Sequence, residues 1–450
     1  MSRTKEEAML SRREFFKIVA KTGLASTSAP LWLHETSKRA FAQLSNTYKA
    51  IVVLSLGGGN DSNNMLIPLD DGKYNEYAAL RPLIALPQSA CLPLTASGTE
   101  GRYGFHPALQ NIAQLYNNGN ALVVANVGPL KSPATKSQLT LSPSLIPEGL
   151  LSHPAGSSQW ESASTVAYPS TGWGGRMADL IASQSGSLPP VLSAGVNSIF
   201  GVGHSVQGIV VSSAGSLTAL PAGMAAAILA IANDDVSSSN SLVAQAAKVR
   251  LQATQQQVLI SDALSAGSPL KTQFPTSQFG QVMQTIAGVL NGRSVIGASR
   301  QIFYCQQGVY DTHNQQISMQ NSYLSELDGG IGAFSAALQE MSLQNNVLIC
   351  THSDFNRTLL GNGSGGTDHA WGSHQLVIGA GIRGGRIIGN VPDPELGGSL
   401  DLNGYGTWIP TLSATQMTAG IGAWMGLSNN QLTTVFPDLG NFTDGPVLLT

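Results

Sequence analysis

The sequence is poor in charged residues, in cysteine and in long apolar runs. Only 11% of its 450 residues are charged, against about a quarter in ordinary proteins, yet 42% are hydrophobic, enough for a sizeable core. The formal net charge of −3 lacks the basic excess of nucleic-acid-binding proteins, so we expect no nucleic acid partner. Three cysteines exclude a fully paired set of disulfides within one chain. Beyond the N-terminal region no apolar run is long enough to span a bilayer, so we expect no transmembrane anchor in the mature chain.

The N-terminal region has the features of an export signal. Ser11-Arg12-Arg13-Glu14-Phe15-Phe16-Lys17 matches the twin-arginine pattern. A weakly apolar stretch follows over residues 18–33, and Ala40-Phe41-Ala42 offers the small residues of a cleavage site. We therefore predict a twin-arginine signal peptide over residues 1–42, cleaved near Ala42. This predicts the twin-arginine export machinery as a partner and a periplasmic or secreted location.

Short apolar runs bounded by turn residues predict buried strands in the rest of the chain. These runs are Tyr48 to Leu56, Ala121 to Val127, Gln301 to Cys305, Val347 to Cys350 and Leu376 to Ile378. Apolar residues recur every three or four positions from Gln320 to Ser342, which predicts a helix between two of the strands. A strand, a helix and a second strand in this order indicate a right-handed crossover in a parallel sheet. We predict an α/β fold over residues 43–450, with a mostly parallel central sheet flanked by helices and residues 185–300 as an insertion or cap.

Aspartate and histidine residues follow several of the predicted strands. They are Asp61, Asp311, His313, Asp354, Asp368, His369 and His374. Because the carboxyl ends of parallel strands meet at one edge of a sheet, we expect these side chains to converge. Carboxylates that lie close together repel one another unless a cation joins them, and mixed carboxylate and imidazole groups suit a divalent metal ion. We predict a site for Zn, Mn, Mg or Ca, with the alternative that these residues cap helices and brace loops.

A pair of hydroxyl residues, Ser170 and Thr171, opens another predicted helix in the segment Ser-Thr-Gly-Trp-Gly-Gly-Arg. A hydroxyl at a helix start serves as an N-cap, or as a nucleophile or anion-binding group. Both roles stay open for Thr171 and Ser170. No Gly-x-Ser-x-Gly segment follows a predicted strand, which argues against a serine-hydrolase triad.

Six motifs occur in order along the chain. They read Leu-Ser-Leu-Gly-Gly-Gly-Asn-Asp, Phe-His-Pro-Ala-Leu, Thr-Gly-Trp-Gly-Gly-Arg, Tyr-Asp-Thr-His, Ser-Asp-Phe-Asn-Arg-Thr and Gly-Thr-Asp-His-Ala-Trp-Gly-Ser-His. Together with the leader they resemble the bacterial exported "domain of unknown function 1501" family, which is similar to the alkaline phosphatase and sulfatase superfamily. The resemblance implies an alkaline-phosphatase-like sheet with metal ligands on strand-end loops.

The same resemblance implies roles for individual residues. Asp61 would be a ligand after the first strand, and Asp354 would lie near a second metal position. A first metal position would take Asp311, His313 and one of His369 and His374. Thr171 or Ser170 would stand in the nucleophile's place. Phe355 follows Asp354 where alkaline phosphatases carry a histidine.

The resemblance, together with the export signal, implies an exported metal-dependent hydrolase of phosphate or sulfate esters, with an anionic ester as its substrate. The alternative is a non-catalytic exported protein on the same fold, which binds a surface polymer or another protein through residues 185–300. Analysis of bound metal separates the two hypotheses.

Overall fold

A central sheet of nine strands organises the chain. The computed structural model describes residues 48–211 and 222–450, and the predicted signal peptide lies outside the described residues. The strands are β1 (Lys49–Leu56), β2 (Leu66–Pro68), β3 (Leu92–Pro93), β4 (Tyr103–Phe105), β5 (Ala121–Gly128), β6 (Val191–Ala194), β7 (Ile209–Val211), β8 (Arg300–Gln307), β9 (Val347–Ser353), β10 (Asn356–Arg357), β11 (His369–Ala370), β12 (Ser373–Ile378), β13 (Ile387–Ile388) and β14 (Leu412–Ser413). The helices are α1 (Asp71–Leu80), α2 (Gln110–Asn117), α3 (Lys136–Leu141), α4 (His153–Ser162), α5 (Trp173–Ile181), α6 (Ala222–Asp235), α7 (Ser241–Ala266), α8 (Gln278–Asn291), α9 (Arg293–Ile296), α10 (Gln316–Glu340), α11 (Ala414–Met425) and α12 (Asn429–Val435).

The strands of the central sheet run almost all in one direction. Their order is β13-β5-β12-β9-β1-β8-β6-β7, and β14 also pairs with β5. β1 pairs in parallel with both β8 and β9, whereas β12 is antiparallel to both of its neighbours, β5 and β9. The predicted α/β class with a mostly parallel sheet is therefore confirmed, and β12 is the strand that departs from it.

The two faces of the sheet are both buried. Ala50, Val52 and Leu54 of β1 face one hydrophobic core, and Ile51 and Val53 face the other, because side chains alternate along a strand. Each fully buried aliphatic side chain contributes about 1.5–3 kcal/mol, so a two-faced core holds the strand ends firmly in place.

Helix α10 provides the predicted crossover between β8 and β9. Its buried stripe is the one expected from the sequence and consists of Leu324, Leu327, Ile331, Phe334 and Leu338. The helix begins at Gln316, one turn before its predicted start. As a result, β8 and β9 lie on either side of β1, and their carboxyl ends lie next to its own.

Residues 185–300, which we predicted as an insertion or cap, contribute both strands and helices. β6 pairs in parallel with β8 and with β7, so both strands extend the central sheet. Helices α6 and α7 form a pair, and α7 packs on α8 and α9. Among the described helices, none combines the length and the apolar character that crossing a membrane requires.

The reversed direction of β12 shapes one edge of the sheet. The carboxyl ends of β1, β8 and β9 lie at this edge together with the beginning of β12. The chain between β9 and β12 forms the small antiparallel pair of β10 and β11, in which Arg357 lies opposite His369. Polar residues from four strands therefore meet at the edge where open α/β sheets bind their ligands.

Candidate functional site

Three histidine side chains are each held in place through their Nδ1 atom. His153 Nδ1 lies 2.8 Å from Asp354 Oδ2, His313 Nδ1 lies 3.1 Å from Asp368 Oδ1, and His369 Nδ1 lies 2.8 Å from the carbonyl oxygen of Leu151. A carbonyl oxygen or an ionised carboxylate only accepts a hydrogen bond, so each Nδ1 carries the ring proton. The Nε2 atom of each neutral ring is then left with a free lone pair.

These Nε2 atoms converge on the carboxylate of Asp311. Asp311 Oδ1 lies 3.1 Å from His313 Nε2 and 3.6 Å from His369 Nε2, and Asp311 Oδ2 lies 3.6 Å from His153 Nε2. The Nε2 atoms of His313 and His369 lie 3.0 Å apart. Two lone pairs that face each other at this distance repel, and a shared cation or a further proton relieves the repulsion. We call His153, His313, His369 and Asp311 the histidine cluster.

The histidine cluster has the composition of a metal site. Within the described ranges, one atom each from His153, Asp311 and His369 lie within 4.8 Å of one another, and His313 is in contact with the last two. Tetrahedral zinc, with bonds of about 2.0–2.1 Å, spaces its ligand atoms by roughly 3.3 Å. The separations of 3.0 to 3.6 Å between contacting atoms lie near that value, so His153, Asp311 and His369 could hold a metal ion, with His313 next to the last two.

A buried guanidinium fixes Asp311. Arg357 is fully buried, and its Nη2 donates to Asp311 Oδ1 at 2.5 Å. Three further N–H groups of Arg357 donate to the backbone oxygens of Gly58, Gly59 and Thr367. Partial burial raises the pKa of Asp311, but the hydrogen bond and the charge of Arg357 outweigh it, and the pKa lies below its usual value. Asp311 is therefore ionised, as a metal ligand must be.

Asp354 orients His153 from the end of β9. Its Oδ2 accepts from the backbone N–H of Gly58 at 3.0 Å, and its Oδ1 accepts from the hydroxyl of Ser157 at 2.9 Å. Gly58 has φ +96°, which favours glycine, and Gly156 of α4 packs so closely that an added Cβ would lie 2.3 Å from the carbonyl oxygen of Asp354. These close contacts press the start of α4, which carries His153, onto the end of β9.

Phe355 forms an apolar wall of the cluster. Its ring centroid lies 4.3 Å from that of His369 and 4.7 Å from that of His153. Burial lowers the pKa of His369, the hydrogen bond from Nδ1 to Leu151 raises it, and the charge of Arg357 lowers it further. The net pKa lies below the usual value, which keeps His369 in the neutral form that binds metals. Phe355, which directly follows Asp354, thus packs on two histidines of the cluster.

Two of the predicted ligands, Asp61 and His374, lie apart from the cluster. Asp61 is buried and forms an ion pair with Arg81, and it also accepts from Gln316 at 2.5 Å and from the backbone of Asn63 at 3.0 Å. Both of its oxygens are therefore already engaged. His374 is buried in β12, and its Nδ1 accepts from the backbone N–H of Asn126 at 3.0 Å. Burial lowers the pKa of His374 to about 4.

The two residues predicted as nucleophiles, Ser170 and Thr171, do not cap the helix and are not part of the histidine cluster. Gly172, and not Thr171, is the N-cap of α5, and the Thr171 hydroxyl accepts from Arg176 at 3.1 Å. Ser170 is exposed. Of the nine predicted site residues, the structure brings Asp311, His313 and His369 together, with Asp354 and Asp368 as the acceptors behind two of the histidines.

His153 is the residue of the cluster that the sequence did not identify. It stands at the first position of α4, directly before a proline that suits a helix start. Its partner Asp354 lies 201 residues further along the chain. The only local signal in the sequence was a histidine at a helix start within a polar and aromatic segment. Such a signal does not identify the histidine as a metal-binding residue.

Comparison with known proteins gives a family but no activity. No curated protein matches the chain. Solved structures that resemble it include the PsFucS1 sulfatase from Pseudoalteromonas sp., with 11% identity, a TM-score of 0.32 and coverage of 80% of this chain and 68% of that one. The lipoteichoic acid synthase LtaP from Listeria monocytogenes has 6% identity, a TM-score of 0.32 and coverage of 89% and 80%. A mutant of TAB5 alkaline phosphatase has 11% identity, a TM-score of 0.32 and coverage of 74% and 91%.

These identities and scores are too low for an activity to be transferred. The match to a family model is extensive, because it covers residues 48–436. The motifs that suggested the family, from the Gly-Gly-Gly-Asn-Asp turn to the segment around His369, all fall within that range. The chain belongs to the family described as "Protein of unknown function (DUF1501)".

Proposed function

We propose that the chain is an exported metal-dependent hydrolase of phosphate or sulfate esters, with its centre at the histidine cluster. The observation that carries the proposal is the shared orientation of His153, His313 and His369. Each donates from Nδ1 to an oxygen and turns Nε2 toward Asp311. Histidines that bind metals in proteins almost always donate their other nitrogen in this way.

The donor set favours some of the expected ions over others. Three imidazole nitrogens and one carboxylate suit zinc and similar transition metals, whereas calcium and magnesium prefer sites built from oxygen atoms. We therefore propose that His153, His313, His369 and Asp311 hold zinc or manganese. When bound, the ion would polarise an ester oxygen and lower the pKa of a bound water.

The charges around the cluster explain why an anionic ester would need the metal. With its histidines neutral, the site contains the carboxylates of Asp311, Asp354 and Asp368 against the single guanidinium of Arg357. The hydrogen bonds of the Arg357 side chain go to Asp311 and to backbone oxygens. The site repels an anion until a divalent cation compensates the negative charge.

The attacking group would be water or a nearby hydroxyl. Ser152 precedes His153 as the N-cap of α4, and its hydroxyl makes no capping hydrogen bond. Leu151, on its other side, supplies the oxygen that binds His369. Thr171 is the predicted alternative. If a hydroxyl attacks a phosphate ester, a bond forms between its oxygen and the phosphorus, the bond to the leaving alcohol breaks, and the alcohol departs with the hydroxyl proton. Water then attacks the phosphorus, the bond to the residue's oxygen breaks, and phosphate leaves while a proton from the water restores the hydroxyl.

Metal analysis of protein purified after passage through its own export route tests the proposal. We expect about one zinc or manganese ion per chain, and metal-dependent cleavage of 4-nitrophenyl phosphate, its diester or 4-nitrophenyl sulfate. Asp311→Asn should lower both metal content and activity by more than about 100-fold, because even contacts behind the ligands are worth about 10–100-fold. Asp262→Asn, on the exposed side of α7, is the matched control.

Two results would contradict the proposal. One is the absence of a stoichiometric ion, and the other is an Asp311→Asn variant that binds metal as the parent protein does. A bound ion without cleavage of any ester would favour a non-catalytic binding protein. If a hydroxyl attacks a phosphate ester, single-turnover reactions followed by mass spectrometry would show a phosphorylated Ser152 or Thr171, and Ser152→Ala and Thr171→Ala identify which hydroxyl attacks; direct attack by water leaves both residues unmodified.

A further inference from the structure

A cavity of about 380 Å³ opens at the carboxyl ends of β6 and β8. Its polar lining consists of Gln278, Gln306, Gln307, Tyr323 and Glu326, and Phe279 and Val282 supply part of its apolar lining. We call it the glutamine cavity. Its volume lies in the range of about 300–1,000 Å³ that small-molecule sites occupy, and its few polar groups on an apolar wall are typical of such sites.

Several of its polar groups have no partner within the protein. Among the described residues, the side-chain amides of the exposed Gln278 and Gln306 and the hydroxyl of the half-buried Tyr323 make no hydrogen bond to another residue, so water is the partner that a ligand would replace. These groups offer donors and acceptors at the same time. The cavity therefore presents unused hydrogen-bonding capacity of both kinds to whatever enters it.

The other polar groups of the cavity are held rigidly. Gln307 Nε2 donates to Glu326 Oε2 at 3.2 Å and to the backbone oxygen of Tyr323 at 2.9 Å, while its Oε1 accepts from Tyr310 at 2.6 Å. The second oxygen of Glu326 accepts from the backbone of Phe279 at 3.3 Å. A carboxylate fixed in this way keeps lone pairs for a ligand and loses little conformational entropy on binding.

The chemistry of the lining selects a neutral ligand rich in hydroxyl groups. The described residues that line the cavity include no lysine, arginine or histidine, and the one charged group among them is the carboxylate of Glu326. An anionic group is repelled there, whereas sugar hydroxyls pair with amides, a phenol and a carboxylate. The half-buried Tyr323 adds an aromatic ring on which the apolar face of a sugar can pack.

The cavity lies beside the histidine cluster along the chain. Gly308 and Val309 line the cavity, and Asp311 follows two residues later. Gln306 packs so closely on Gly57 that an added Cβ there would lie 2.2 Å from its amide nitrogen, and the next residue, Gly58, binds Asp354. One short turn and one short loop therefore connect the two sites at the same edge of the sheet.

We propose that the glutamine cavity binds a neutral sugar unit. If the proposed function also holds, on which this second step rests, the sugar is the part of the substrate that carries the ester. The cavity would then hold the sugar ring while the charged ester group reaches the histidine cluster.

Saturation-transfer NMR with a panel of neutral trisaccharides, built from glucose, galactose, mannose and N-acetylglucosamine, tests the binding site. We expect at least one to bind with a Kd of about 10 μM to 1 mM. Gln306→Ala should weaken that binding about 5–10-fold by removing one amide. Val309→Trp, at a position that is 59% exposed, should abolish it by filling the cavity. Gln252→Ala, an exposed glutamine of α7, should change nothing.

The outcomes separate this proposal from the metal-dependent function. Asp311→Asn should bind the sugar as the parent protein does, because the cavity does not include Asp311. With a sugar ester as substrate, Gln306→Ala should raise KM with little change in kcat. No binding below about 10 mM by any member of the panel, equal binding by Val309→Trp, or preference for an anionic or amine probe would each overturn the sugar site.

Discussion

Replacement of Asp354 by asparagine distinguishes a residue that binds the metal from one that holds a ligand in place. In the structure, Oδ2 accepts from Gly58 at 3.0 Å and from His153 at 2.8 Å, and Oδ1 accepts from the hydroxyl of Ser157 at 2.9 Å. An asparagine whose oxygen takes the place of Oδ2 keeps the first two bonds. Its NH₂ group faces the Ser157 hydroxyl, which can accept. Asp354→Asn therefore removes a charge and keeps every contact.

The expected loss follows from that single change. A charged acceptor makes a hydrogen bond roughly twice as strong as a neutral one, and the weaker bond makes His153 a poorer ligand. Mutation of such a partner behind a metal ligand costs about 10–100-fold in metal affinity, which is about 1.4–2.7 kcal/mol. The free energy of unfolding of the metal-free protein should change by only about 1 kcal/mol, since the variant also avoids burying a charge.

Competition with a chromogenic chelator gives the metal affinity, and thermal unfolding with and without metal gives the stability. Asp311→Asn, measured in parallel, should lose far more affinity because Asp311 contacts all three Nε2 atoms. A parental affinity in Asp354→Asn would refute the role of Asp354 in holding His153. A loss equal to that of Asp311→Asn would mean that Asp354 binds the ion itself.

Three further predictions concern packing, pH and metal. Gly156→Ala should destabilise the protein by about 1–3 kcal/mol in urea titrations, because its Cβ meets the backbone of Asp354; Gly223→Ala, where a Cβ meets nothing within 4 Å, should not. Burial lowers the pKa of His352 to about 4, so as the pH falls the unfolded chain binds the proton before the folded chain does. The free energy of unfolding should therefore fall as the pH drops from about 6.5 to 4. A flatter pH profile of stability in His352→Phe supports this role of His352, and an unchanged profile refutes it. Removing the metal should lower Tm, by the equivalent of about 4 kcal/mol if the free ion stood at 1,000 times its Kd, and a chelator that leaves Tm unchanged would contradict a structural contribution of the ion.

The apolar patterns of the sequence were sufficient to predict most of the sheet and its crossover helix. The predicted strands at β1, β5, β8 and β9 are confirmed, and so is the buried stripe of α10. The direction of β12 was not predictable, because a buried strand has the same apolar run in either direction. Its pairing depends on contacts with β5 and β9 from distant parts of the chain.

The candidate site was predictable only in part, for an electrostatic reason. Asp61 and Asp311 both follow strands, so the sequence predicts both of them as metal ligands. The structure sets them apart through two arginines: Arg81 shares a fully buried ion pair with Asp61, whereas Arg357 binds one side of an Asp311 that remains 40% exposed. Which arginine meets which aspartate depends on the tertiary fold, and neither pairing has a local signature.

The hydrogen bonds behind the histidines imply an order of assembly. Asp354, Asp368 and Leu151 orient the three rings, and Arg357 compensates the charge of Asp311, all through contacts that the polypeptide itself provides. The chain would fold first, and the metal ion would then bind to a preformed site. Loading would then be reversible, and one preparation could be stripped and refilled with different ions without being unfolded.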